Sequence, residues 1–139
     1  MAGHAALRYL LDTNICIYIA KGQPLSVRAR FDQHTVEELA MSTITLGELR
    51  FGAEKSQARE RALATLEQLM QVIPACALPL AAGEHYGQIR AALHKQGLPI
   101  GNNDLWLAAH ARAEGWVLVT SNTRKFARVP GLQVENWAD

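Results

Sequence analysis

The sequence predicts an α/β protein, a parallel sheet covered by helices on both faces as an α/β/α sandwich. Two observations carry that expectation. Short apolar runs at Tyr9-Leu10-Leu11, Leu39-Ala40-Met41 and Trp116-Val117-Leu118-Val119-Thr120 alternate with longer stretches whose apolar residues recur every three or four positions. The first run also stops at a carboxylate, Asp12, followed at once by Thr13 and Asn14. Ligands of open parallel sheets bind beyond the carboxyl ends of strands, so an acid there stands where chemistry is done. Asp12 is equally suited to cap a helix beginning near Ile15, and spacing alone leaves both roles open.

Taken in order, Ile15 to Ala20 forms a short helix that stops at Lys21-Gly22. Pro24 opens a second, amphipathic helix with Val27 and Phe31 inside and Arg28 and Arg30 on its polar side. After the strand Leu39-Ala40-Met41 come Ser42 and Thr43, then a helix through Leu46, Leu49 and Phe51 to Ala53, with Glu48 about one turn inside it. A long helix follows over Gln57 to Val72, its apolar face made by Leu63, Leu66, Met70 and Ile73. Pro74 ends it, and Cys76-Ala77-Leu78 is a short strand or extended link. Ala82, Tyr86, Ile89 and Leu93 mark the next helix, closed by Gly97. Pro99 to Asp104 is a turn into a helix from Leu105 to about Ala113 that stops at Gly115. Leu132-Gln133-Val134 is an edge strand. With no repeat, linker or low-complexity tract, residues 1–139 read as one domain.

Composition bounds the function. Hydrophobic residues are 49% and charged ones 19%, with a net charge of +1, so no overall basic field points to nucleic acid. Met1 to Leu7 lacks the apolar core of a leader, and no run approaches membrane-spanning length, which predicts a cytoplasmic protein. Cys16 and Cys76 lie in apolar surroundings without metal-binding spacing and read as buried, reduced thiols. His4, His34, His85, His94 and His110 share no metal spacing either, and Trp106 and Trp116 read as core.

Three acids fall at the right places for a shared site: Asp12 after the first strand, Glu48 in the helix after the second, and Asp104 at the start of a later helix. Right-handed crossovers bring the corresponding strand ends to one edge of the sheet. Clustered carboxylates without basic neighbours repel one another, and a divalent cation relieves that repulsion. Oxygen-only ligands select Mg²⁺ or Mn²⁺, ions that activate water for phosphodiester hydrolysis. The competing structural readings are a surface Glu48 paired with Arg50 or Lys55, and Asp104 as a helix cap.

Four ordered motifs resemble PIN domains: Leu10-Leu11-Asp12-Thr13-Asn14, Ser42 to Leu49 with Glu48, Pro99-Ile100-Gly101-Asn102-Asn103-Asp104, and Leu118-Val119-Thr120-Ser121-Asn122. The closing stretch Phe126-Ala127-Arg128-Val129-Pro130-Gly131-Leu132 through Glu135-Asn136-Trp137 narrows the resemblance to VapC-type toxins of bacterial toxin–antitoxin pairs. It spans nearly the whole chain. The resemblance implies a Mg²⁺-dependent endoribonuclease, similar to toxins that cut initiator transfer RNA in the anticodon region, neutralised by a cognate antitoxin. It also implies a homodimer and a toxin–antitoxin hetero-oligomer, with Asp12, Glu48 and Asp104 as the metal-binding acids.

One departure stands out. The family commonly supplies a fourth acid two residues after the Val-Thr strand end or just before the following Phe, where this chain has Asn122 and Lys125. Asn122 is then expected to offer a neutral oxygen or a water contact, and Lys125 either to oppose cation binding or to lie outside the pocket. For the partner, an acid pocket invites a basic antitoxin residue, and Ile15, Ile19 and Phe31 are candidates for a groove holding an antitoxin helix. Two other functions compete: a PIN fold kept only for binding, and a phosphoacceptor receiver domain. The receiver needs paired acids after the first strand, where Thr13 follows Asp12, and an acid after the third, where Pro74 to Ala82 has none. A haloacid-dehalogenase phosphatase needs an Asp where this chain has Asn14.

Overall fold

Five short strands make one parallel sheet in the order β3-β2-β1-β4-β5. They are β1 (Tyr9–Leu11), β2 (Leu39–Ser42), β3 (Ala75–Cys76), β4 (Val117–Val119) and β5 (Val134–Glu135). Every neighbouring pair is parallel. The computed structural model describes residues 7–139, so His4 and the leader reading of the N-terminal stretch lie outside the described residues. Strand order runs one way from β1 to β2 and β3 and the other way to β4 and β5. That reversal opens a crevice at the carboxyl end of β1.

Side chains alternate faces along a strand, and the register sorts them into two cores. Leu10 pairs with Ala40 and Leu118, and all three pack with Ile89, Leu93, Leu105 and Ala108. Leu11, Met41 and Val119 face the other way, against Ile15, Val27, Leu69, Ile73 and Trp137. The helices divide accordingly. Helices α1 (Thr13–Lys21), α2 (Leu25–Phe31), α3 (Thr43–Glu54) and α4 (Arg59–Val72) precede α5 (Ala82–Gln96) and α6 (Asn102–Glu114), with a short α7 (Thr123–Phe126) before β5. α5 and α6 cover the Leu10 face. Among the described residues, no helix is long and apolar enough to cross a membrane.

Several expectations are corrected. α6 begins at Asn102 rather than Leu105, with Gly101 in the cap position, so Asp104 is in the first turn and is not the cap. β5 starts at Val134 because Leu132 still belongs to a turn, its amide donating to the Val129 carbonyl. α4 starts at Arg59, and its core face is made by Leu66 and Leu69, with Leu63 and Met70 only half-buried. Cys76 is half-buried, and Trp106 is half-buried against Tyr86, whereas Trp116 is core. Ile15 is fully buried and lines no groove, while Ile19 and Phe31 pack partly exposed against the same core.

The C-terminus is held by one aromatic cluster. Trp137 is fully buried, stacks on His34 with 5.2 Å between ring centroids, and donates from Nε1 to Glu135 Oε1 at 3.0 Å. Arg30, expected on a solvated face, pairs with the same Glu135 oxygen at 2.7 Å and lies over the Trp137 ring.

His110 is the one fully buried histidine among the described residues. Its Nδ1 lies 2.9 Å from Ser42 Oγ, and its Nε2 has no partner among them. Ser42 Oγ already accepts the Ile44 amide as the cap of α3, which leaves its hydroxyl proton for a neutral imidazole. Burial pushes the His110 pKa down to about 4. The unfolded chain therefore takes up this proton below its ordinary value, while the folded chain resists until about pH 4, so stability falls as pH drops through that window. Urea midpoints at pH 7 and pH 5 should show wild type losing about 2 kcal/mol more than His110→Gln over this interval. Equal losses in the two proteins would contradict the buried, neutral imidazole.

Candidate active site

The backbone ladder places the first acid. The Asp12 amide donates to the Val119 carbonyl at 3.0 Å, one rung past the end of β1. Its Oδ1 accepts the Ile15 amide at 3.0 Å and caps α1. Capping is thus a real role of Asp12, and the same side chain also faces Asp104 and Glu48. Burial is the main force raising the Asp12 pKa. The Thr120 hydroxyl and the Ile15 amide pull it back, and the charges of Asp104 and Glu48 add to the rise. Cys16, directly behind it in the core, has its thiol pushed far up by burial and by the Asp12 charge.

Glu48 arrives on α3, which starts as soon as β2 ends because Ser42 caps it. Its carboxylate accepts a short hydrogen bond from the Thr13 hydroxyl and another from Asn103 Nδ2 at 3.3 Å. Pairing with Arg50 or Lys55 does not occur: Arg50 binds Glu54 at 2.7 Å, and Lys55 lies over the Phe51 ring. Glu48 therefore ties the first turn of α1 to the first turn of α6. Neither Thr13 nor Asn103 was expected to take part, although both flank predicted acids in sequence.

Asp104 carries the main surprise. Lys125 Nζ sits 2.8 Å from Asp104 Oδ2, with both side chains about one-third exposed. The acids are thus not without a basic neighbour, and Lys125 does not lie outside the pocket. Asn122 caps α7 instead of reaching toward the acids, its Oδ1 accepting the Lys125 amide at 3.3 Å. Its own amide is tied to Thr120 Oγ1 at 3.0 Å.

The donor set suits a hard divalent cation, since the three acids that influence one another here, Asp12, Glu48 and Asp104, offer oxygen alone. Among the described residues, no three His, Cys, Asp or Glu side chains are arranged to hold one ion. Thr13 and Asn103 hold Glu48 and Lys125 holds Asp104 through Oδ2, and each of these carboxylates keeps lone pairs for a cation. Beside the acids opens a cleft of about 690 Å³ whose lining runs from Thr13 and Glu48 to Ile17, Leu49, Gly52 and Leu69.

Comparison with known proteins agrees with this fold. A family model described as PIN domain matches residues 9–132. The chain is 48% identical to a protein of Shigella flexneri named tRNA(fMet)-specific endonuclease VapC, over 95% of this chain and 99% of that one. It is 45% identical to Ribonuclease VapC2 of Haemophilus influenzae, over 94% and 98%. The crystal structure of DNA-bound VapBC from Salmonella typhimurium contains a chain that superposes with a TM-score of 0.88 at 43% identity, covering 95% of this chain and 99% of that chain. Matched along nearly its whole length in sequence and fold, with acids gathered at the carboxyl edge of the sheet, the chain belongs to the PIN-domain family and, within it, to the VapC proteins.

Proposed function

We propose that this protein is an endoribonuclease toxin that hydrolyses RNA using a divalent ion, Mg²⁺ or Mn²⁺, held by Asp12, Glu48 and Asp104. The observation that carries the reading is that Asp12, at the sheet's switch point, lies near enough to Asp104 and Glu48 for their charges to raise its pKa. The naming of a 48% identical relative as a tRNA(fMet)-specific endonuclease makes initiator transfer RNA the substrate of choice. Such a substrate puts the activity in the cytoplasm.

When bound, a divalent ion lowers the pKa of a coordinated water and neutralises charge building on the phosphate. The chain's own residues do the positioning. The ladder hydrogen bond fixes the Asp12 backbone, and the Ile15 amide and Thr120 hydroxyl hold its carboxylate. Thr13 and Asn103 hold Glu48 in reach, and Asn122 fixes the turn that carries Lys125. The binding-only alternative draws on one observation, the Lys125 ammonium inside the acid site. RNA cleavage by the purified protein separates the two.

Asp12→Asn and Asp104→Asn should each abolish growth inhibition and reduce RNA cleavage at least about 100-fold, with circular dichroism unchanged. Glu48→Gln should lose less. Full cleavage by folded Asp12→Asn protein would overturn the metal-site reading.

The partner reading follows from the cleft. Its apolar walls suit an amphipathic segment of a cognate antitoxin, with a basic side chain reaching Glu48. The relatives captured as VapBC complexes support such a partner. Gly52 lines the cleft, and a Cβ there meets nothing within 4 Å. Gly52→Trp should therefore fold, cut RNA normally and bind antitoxin at least about tenfold more weakly, as a well-packed anchor site lost to a steric block predicts. Undiminished antitoxin binding would place the partner elsewhere.

A further inference from the structure

We propose that Lys125 is a resident cation of the acid site, standing where a second divalent ion would otherwise sit, so that each chain takes a single divalent ion. The proposal rests on the reading of Asp12, Glu48 and Asp104 as a metal site.

Geometry and charge carry it together. Lys125 Nζ is 2.8 Å from Asp104 Oδ2. Its backbone cannot move freely, because its amide is capped by Asn122 and the next residue, Phe126, is 2% exposed in the core. Only the side-chain stem can flex. With both side chains about one-third exposed, the pair is partly shielded from water and salt. The other two acids have only neutral donors among the described residues: the Ile15 amide and Thr120 hydroxyl on Asp12, and Thr13 and Asn103 on Glu48.

Three carboxylates and one ammonium leave two negative charges, which one divalent ion neutralises. A second divalent ion would leave the crevice two charges positive, facing the Lys125 ammonium at close range, which a partly buried site disfavours. Two-metal hydrolases place their ions about 3.5–4 Å apart and need the negative charge to hold both. Here Asp104 is already neutralised by a covalently tethered cation, Lys125. The Lys125 ammonium is then also at hand for a phosphate oxygen of the substrate, as a point charge on a flexible stem.

The test counts ions without relying on catalysis. Free Mn²⁺ is followed by electron paramagnetic resonance while the purified full-length protein is titrated at neutral pH. Wild type should take up one Mn²⁺ per chain. Lys125→Met, which keeps the stem and removes the charge, should still bind one ion but at least about tenfold more tightly. Lys125→Glu should bind two, and its melting temperature should rise more on adding Mn²⁺ than that of wild type. Two ions per wild-type chain, no bound ion, or identical counts and affinities in all three proteins would each overturn the proposal. Cleavage of transfer RNA is assayed in parallel: ion counts as predicted without cleavage would refute the ribonuclease reading and leave the role of Lys125 standing.

Discussion

The structure depends on the register of β1 between its two parallel neighbours. Leu10 and Leu11 are fully buried on opposite faces, so this three-residue strand contributes to both cores at once. A slip of one residue would exchange the two faces and bury the wrong set. The ladder runs one rung further than the strand itself, through the Asp12 amide to the Val119 carbonyl. The acid is therefore placed by the same bonds that assemble the sheet. From that point α1 leaves in one direction, while β4 and β2 deliver Thr120 and Ser42 alongside, and the crevice follows from strand order alone.

Around Asp12 the protein has met the cost of gathering negative charge by several means. Helix α1 offers its first-turn amide, a favourable place for a carboxylate. Thr13 and Asn103 satisfy Glu48 without adding charge. Lys125 neutralises Asp104 directly. Burial nevertheless lifts the Asp12 pKa, and the charges of Asp104 and Glu48 add to the rise. A bound cation would favour the charged carboxylate against both. His110 supports the arrangement from below: it links α6, which carries Asp104, to Ser42 at the cap of α3, which carries Glu48.

Much of this was legible in the residues. The alternation of apolar runs with helical spacing gave the layers, because strand and helix periods differ and each buries its own pattern. The acids at strand ends and helix starts were visible as charges interrupting apolar segments. Boundaries were less legible where polar residues extend a helix. Asn102 and Asn103 carry no apolar signal, so the start of α6 lay hidden in what read as a turn. Ile15 and Ile19 are both apolar residues of one early helix, and only the packing of α1 on the sheet decides that Ile15 is core and Ile19 partly exposed. The Asp104–Lys125 contact spans 21 residues and depends on the fold bringing α6 and α7 together, which no local pattern encodes.

The central proposal is that Asp12, Glu48 and Asp104 would hold a divalent ion, which would supply an activated water for hydrolysis of an RNA phosphodiester. End-group analysis of transfer RNA cut by the purified protein, with Mg²⁺ and again with EDTA, tests it most directly. Attack by water with the 3′ oxygen leaving gives 3′-hydroxyl and 5′-phosphate ends, and the account predicts those ends with Mg²⁺ and intact RNA with EDTA. Products ending in 2′,3′-cyclic phosphate, or cleavage that persists unchanged in EDTA, would contradict it.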